Sequence, residues 1–408
     1  MNIGFISEAL PYLPCRGGFR LYGGNLLRHL SRRHTIDLVS LLQDGDEEHL
    51  AWPAQYCASV TTIATKGKSL PLRLGNYASR WAFGRPLNHR KKLRDVLSSG
   101  LKERRWDVLH IEGAFVGGLV DETLPVAKVL SLHDAEVLRA REMQNCEMPA
   151  SKRLAYRIRE FTEPRYDRFV FPRFDTCILV ASRDLEFVKA LVPAAKFELI
   201  PYGTDTEYFR PLPVQKQEST LVFHSHLGYP PNIEAALEFA NCIFPLVQRE
   251  IPNATFHLVG ADPGPKIQAL ASRPGIKISA NLPDLREAVC SAQVYVCAIR
   301  YGTGLKSKVL EAMAMQMPIV GYHPGSTVGI DCVYGRDLLA AENPEEFAAH
   351  VVYLLKHPKK AEEIADAARK LVCEKYSWES RAHDFEELYR KIIEERSVSK
   401  KTIGSAQS

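Results

Sequence analysis

Residues 294–320 constrain the fold more than any other stretch of this chain. Val294-Tyr295-Val296-Cys297-Ala298 is a short apolar run that reads as a buried strand. Gly302 and Gly304 then supply a turn without Cβ atoms. From Leu305 the pattern is helical, with Leu305, Val309, Leu310, Met313 and Ala314 on one face. Pro318 is expected to end that helix, and Ile319-Val320 opens the next strand. The stretch therefore reads as strand, glycine loop, helix, strand. A helix N-terminus opening after glycines presents unpaired N–H groups and the positive end of a dipole, which suits a phosphate. Lys306 and Lys308 add charge there, and Glu311, further along, is placed to reach the hydroxyls of a sugar or ribose. On spacing alone, a plain βαβ unit with a solvated lysine pair fits equally well.

The same alternation runs through the whole chain. Strands are expected at 2–7, 36–41, 58–63, 108–112, 128–132, 175–182 and 197–200, with helical patterns at 21–33 and 137–170. Ser182 is placed to cap a helix through Leu191. Residues 212–219 are polar and carry no hydrophobic period, so a linker is expected there. The pattern then restarts, with strands at 220–224, 255–259, 276–279 and 294–298 and helices at 232–249, 285–292 and 344–372. The expected fold is α/β, two doubly wound Rossmann-like sheets facing a central cleft, with ligands outside the carboxyl ends of the strands. The expected domains are 1–211, the linker 212–219, then 220–376, a helix over 377–396 and a disordered tail over 397–408. The loop after the first strand holds Gly17, Gly18 and Arg20, where adjacent glycines allow a ligand close to the backbone. Arg20 suits either a phosphate or a carboxylate. The loop is not Gly-x-Gly-x-x-Gly, and no acidic residue ends the second strand, which argues against a nicotinamide dinucleotide.

Composition excludes several classes. Hydrophobic content of 46% and charged content of 25% are those of an ordinary globular protein. No apolar run approaches the ~18 residues of a membrane span, and the N-terminus has no signal-peptide pattern. The nine cysteines have no paired spacing, so reduced cysteines, a cytoplasmic location and no metal site are expected. A net charge of +5 does not point to nucleic acid. Residues 66–105 hold 12 Lys/Arg against 2 Asp/Glu, interleaved with Leu72, Trp81, Phe83 and Leu93. Such a segment suits the anionic inner face of a membrane, an anionic acceptor, or a solvated basic helix whose apolar residues face the core.

Four stretches carry a resemblance over nearly the whole chain. They are Val180-Ala-Ser-Arg-Asp184, the turn from Ile200 to Pro211, Pro252-Asn-Ala-Thr-Phe-His-Leu-Val-Gly260, and Gly304-Leu-Lys-Ser-Lys-Val-Leu-Glu-Ala-Met-Ala314. In this order the sequence resembles the glycosyltransferase group 1 family, retaining enzymes of GT-B fold. The resemblance implies transfer of a sugar from a nucleotide-sugar donor to a sugar, lipid-linked or other hydroxyl acceptor, with retention and without a metal or other cofactor. It implies polysaccharide or glycoconjugate synthesis, and a last helix that returns to the N-terminal domain.

Residue by residue, Glu311 matches a glutamate that contacts the nucleotide ribose. His133 matches a histidine near the transferred sugar, and Gly17 and Gly18 match a loop near the donor phosphates. Gly302, Thr303, Gly304, Lys306 and Lys308 fall in the diphosphate-binding turn. Thr303 stands where the family's first glutamate is expected. His226 and Asn232 stand where the family usually has an Arg and a Lys, which moves the phosphate role to Lys306. Glu112 is read as able to orient acceptor hydroxyls. His110, His224 and His257 follow strand periodicity and read as structural. Two other classes share these features: a catalytically inactive relative that binds a sugar nucleotide or a protein, and an epimerase acting on the sugar nucleotide.

Overall fold

The computed structural model describes residues 1–15, 18–64, 93, 95–97, 105–145, 148–301 and 305–405. Gly17, Gly302, Thr303, Gly304 and nearly all of 66–105 lie outside the described residues. The chain forms two compact units. The first comprises Met1–Arg141, Leu154–Ile200 and Arg381–Ser408, and the second Glu142–Arg153 and Pro201–Ser380.

In the first unit, β1 (Asn2–Ser7), β2 (Thr35–Leu42), β3 (Ser59–Ala64), β4 (Val108–Glu112), β5 (Ala127–Ser131), β6 (Thr176–Leu179) and β7 (Phe197–Leu199) form one parallel sheet. Their order is β3-β2-β1-β4-β5-β6-β7. Both faces of β1, β4 and β5 are buried, which is why these strands are apolar runs and not alternating patterns. Helices α1 (Gly18–Leu30), α2 (Glu136–Met143), α3 (Ala150–Val170) and α4 (Ser182–Leu191) accompany the strands. Ser182 does not cap α4; it is the first helical residue, and extended Ala181 precedes it without a side-chain cap. Buried Asp184 supplies the negative charge of the first turn instead. The strand order reverses between β1 and β4, so the ends of those strands mark the switch point where ligands bind in such sheets.

The second unit holds β8 (Thr220–His226), β9 (Thr255–Ala261), β10 (Ile276–Ala280), β11 (Val294–Cys297), β12 (Ile319–Tyr322) and β13 (Leu339–Ala341). They form a parallel sheet in the order β10-β9-β8-β11-β12-β13, with its switch point between β8 and β11. Gly260 lets β9 approach β8 at this end: a Cβ there would lie 1.8 Å from the Ser225 carbonyl oxygen. Its helices include α5 (Pro230–Glu238), α6 (Ser307–Ala314), α7 (Pro344–Lys356) and α8 (Pro358–Lys375).

Three expectations change here. The helix expected over 232–249 is interrupted by a π-turn at Phe239–Ile243 before resuming at Phe244–Glu250, because Pro245 cannot donate to the ladder. Helix α6 begins at Ser307, and it ends before Pro318. Gln316 adopts φ 58°, and the Gln316 and Met317 N–H groups close back on Met313 and Ala312 at 3.0 Å each. Residues 201–219, which include the expected linker 212–219, pack within the second unit. Thr204 N–H donates to the Tyr376 carbonyl at 2.7 Å, Gln217 N–H to Ser291 at 2.7 Å, and Phe209, Leu212 and Val214 pack on the core.

The last helix, α9 (Trp378–Ser405), extends past the expected end at Arg396. Within the first unit, Arg33 meets buried Glu386 at 2.6 Å and Arg396 meets Asp175 at 2.7 Å. No helix among the described residues is long and apolar enough to cross a membrane.

His257, in β9, pairs with Ser279 at 2.8 Å. Burial, with the Lys277 charge, lowers its pKa to about 4. A histidine held neutral in the fold stabilises it above its ordinary pKa, and that stability is lost as pH falls through the folded value. Denaturant stability should fall by roughly 1–3 kcal/mol between pH 7 and pH 4 from this group. Urea midpoints at the two pH values should differ less in His257→Gln than in the parent.

Candidate functional site

A polar cluster occupies the switch point of each sheet. In the first unit, β4 ends in Glu112 and β5 leads into His133. Glu112 is fully buried and accepts from His110 Nε2 at 2.5 Å and from His133 Nε2 at 2.9 Å. Tyr389 Oη lies 2.7 Å from His110 Nδ1, which extends the chain to α9. Burial pushes the Glu112 carboxyl up. The His110 and His133 hydrogen bonds and charges outweigh that and lower it to about 2. An ionised carboxylate only accepts, so both Nε2 atoms carry hydrogen. Burial depresses His133, but the Glu112 hydrogen bond and charge, with Asp134 and Glu8, raise its pKa overall. Phe19 and Tyr22 pack on the His133 ring at 4.6 Å each. The cluster therefore holds a fixed ring biased towards the imidazolium.

This corrects the reading of Glu112. Its carboxylate is bound on both oxygens and out of solvent, so it orients His133 and not an acceptor. His110, read as structural, is the second arm of the same cluster. Its spacing from Glu112, two residues along one strand, puts both on one sheet face.

In the second unit, His224 near the end of β8 meets Glu311 of α6, with Nε2 2.8 Å from Oε2. Both side chains are largely buried, at 3% and 14% exposure. His224, also read as structural, thus fixes one oxygen of the glutamate expected to bind ribose. Tyr295 donates to the His224 carbonyl at 3.3 Å. Four buried polar atoms at this end of the sheet have no partner among the described residues: His224 Nδ1, Ser225 Oγ, Asn232 Oδ1 and Tyr301 Oη. Buried polar groups are normally satisfied, so these mark a place for a polar ligand or water.

The remaining candidates divide. Lys306 is buried and precedes the first turn of α6. Lys308 is half-buried; burial lowers its pKa, with Cys297 and Glu311 pulling the other way. Asn232 is buried and spends an amide N–H on the His226 carbonyl at 2.9 Å. The His226 side chain is exposed, 3.2 Å from Asp262. Arg20 is committed to buried Asp46 and to Gln43, so the carboxylate use is the one this geometry adopts. Gly18 opens α1. Gly17, Gly302, Thr303 and Gly304 lie outside the described residues.

Sheet order, parallel pairing and a second sheet of the same plan define a two-domain α/β protein of GT-B fold. Solved structures agree. Sucrose-phosphate synthase from Thermosynechococcus elongatus matches with a TM-score of 0.72 at 17% identity, over 96% of this chain and 98% of that one. HepE of Anabaena, solved in complex with UDP and glucose, matches with a TM-score of 0.66 at 14% identity, over 96% and 100%. An uncharacterized 44.6 kDa protein in the cps region of Klebsiella pneumoniae is 21% identical over 398 residues, 91% of this chain and 95% of that one. Residues 218–357 match the family described as glycosyl transferases group 1.

Proposed function

We propose that the protein transfers a sugar from a nucleotide-sugar donor to an acceptor hydroxyl with retention of anomeric configuration. The observation that carries this is the Glu311–His224 pair, beside orphaned polar atoms at a switch point within the family-matched residues. The second unit supplies the nucleotide site. Glu311 accepts from the ribose hydroxyls, and Lys306 together with Gly302, Thr303 and Gly304 meets the diphosphate. The first unit supplies His133 for the sugar being transferred. The departing diphosphate gains negative charge, which preorganised amides and cations stabilise without requiring a metal. That same phosphate takes the acceptor proton, so no dedicated base is needed. HepE's complex with UDP and glucose supports a uridine diphosphate sugar as first donor to try, with a guanosine diphosphate sugar second. The relative in a cps region supports polysaccharide synthesis. The test is a donor screen for hydrolysis and transfer, repeated with Glu311→Ala and Lys306→Ala. Full activity in both variants would refute the site.

A second reading is a catalytically inactive relative that binds a sugar nucleotide or a protein. One observation favours it: Asn232 is turned to a backbone carbonyl and His226 to Asp262, so neither is held ready for phosphate. Calorimetric binding of a nucleotide diphosphate, with no turnover of any donor, would select it.

A further inference from the structure

Helix α3 is seated by one face and bare on another. Thr162, Glu163, Tyr166, Asp167 and Val170 are buried, and Tyr166 donates to the Ala114 carbonyl at 2.7 Å. The opposite face exposes Leu154 (58%), Ile158 (41%), Phe161 (72%) and Phe169 (37%). Steps of four and three residues align them within about a third of the helix circumference. Exposed Arg157, Arg165 and Arg168 fall on the same arc. The acids of this helix are elsewhere: Glu163 and Asp167 are buried, and Glu160 pairs with Arg141 at 2.9 Å. Residues 150–161, roughly three turns, bury no side chain. Helices of that length are marginal in water without a packed face.

We propose that this face of α3 lies on an anionic lipid surface, the apolar stripe entering the interface and the arginines meeting the headgroups. An apolar stripe with cations beside it and no exposed acid is the composition that suits such a surface. A two-fold contact with a second copy fits poorly, because it would bring the arginines of both helices together with no acid between them. Its residues belong neither to the basic stretch 66–105 of the sequence nor to either polar cluster. Its test needs no nucleotide, so it stands or falls apart from the transferase reading.

The full chain would be floated with vesicles of phosphatidylcholine alone and of phosphatidylcholine with phosphatidylglycerol. Binding is expected to the anionic vesicles and to weaken as salt is raised. The pair Ile158→Ser and Phe161→Ser should lower the bound-to-free ratio roughly tenfold or more. The pair Arg157→Glu and Arg168→Glu should lower it comparably on anionic vesicles. All four side chains are exposed and the changes give up only one surface hydrogen bond, from Arg168 to the Leu191 carbonyl, so thermal melts should stay close to the parent. No binding to anionic vesicles would overturn the proposal, as would equal binding to both compositions or parental binding by the two double variants. Binding to polyglutamate but to neither vesicle would reassign the face to an acidic protein.

Discussion

Glu311→Ala should weaken uridine diphosphate sugar binding by roughly 10- to 100-fold, the worth of charge-assisted hydrogen bonds to ribose hydroxyls. The same change should cost the fold about 1–3 kcal/mol, because buried His224 loses the acceptor of its Nε2 hydrogen. Calorimetry reads the first effect and denaturant unfolding the second. Glu311→Gln separates them: its amide oxygen still accepts from His224, so most stability should return while the charge towards ribose does not. His224→Leu provides the reciprocal test. It frees the carboxylate to wander and leaves it largely buried. The donor KM should rise several-fold with a smaller change in kcat, the mark of lost ground-state binding. Parental donor affinity in both Glu311→Ala and His224→Leu would end the assignment of this pair to the nucleotide.

The sheets were legible because parallel strands buried on both faces are apolar runs, and every such run from Asn2 to Tyr322 became a strand. Boundaries failed where a local bond outweighed the pattern. Gln316 takes a left-handed turn before Pro318 can act, and Leu212 and Val214 find the core of the second unit from a stretch with no period. In the candidate sites, the residue types were legible but not their pairings. His224 and Glu311 are 87 residues apart and meet because α6 follows β11, which lies beside β8. Strand periodicity could say only that His224 points inward, which is equally true of a structural histidine such as His257. Glu112 was misread for a related reason. Its position at the end of an apolar strand suggested a contact with acceptor hydroxyls, whereas two histidines take both its oxygens and a tyrosine from α9 backs one of them, His110.

Glu112→Gln should act on stability, on His133 and on activity together. A glutamine offers one acceptor oxygen where the carboxylate serves two histidines, so either His110 or His133 must face an N–H group. Leaving buried partners unsatisfied costs about 1–3 kcal/mol per group, and this should appear as a lower unfolding midpoint at neutral pH. The pH dependence has a definite sign. A carboxyl held at about 2 in the fold stabilises the protein above its ordinary pKa, and that contribution is lost as pH falls from about 4.5 towards 2. The parent should therefore lose on the order of 3 kcal/mol across that window, and Glu112→Gln much less. His133 moves the opposite way. Its pKa is raised in the parent, so the imidazolium persists above the ordinary range. Removing the Glu112 charge leaves burial as the dominant influence and should bring the pKa down. Side-chain NMR of His133 across pH reads this directly, with no substrate present. If the imidazolium serves transfer, the alkaline limb of the kcat/KM profile should shift to lower pH by the same amount in Glu112→Gln. Tyr389→Phe, which keeps the Glu112–His133 contact, should leave that limb in place. A His133 titration unmoved by Glu112→Gln would show that the carboxylate does not set its charge, whatever the enzyme then does.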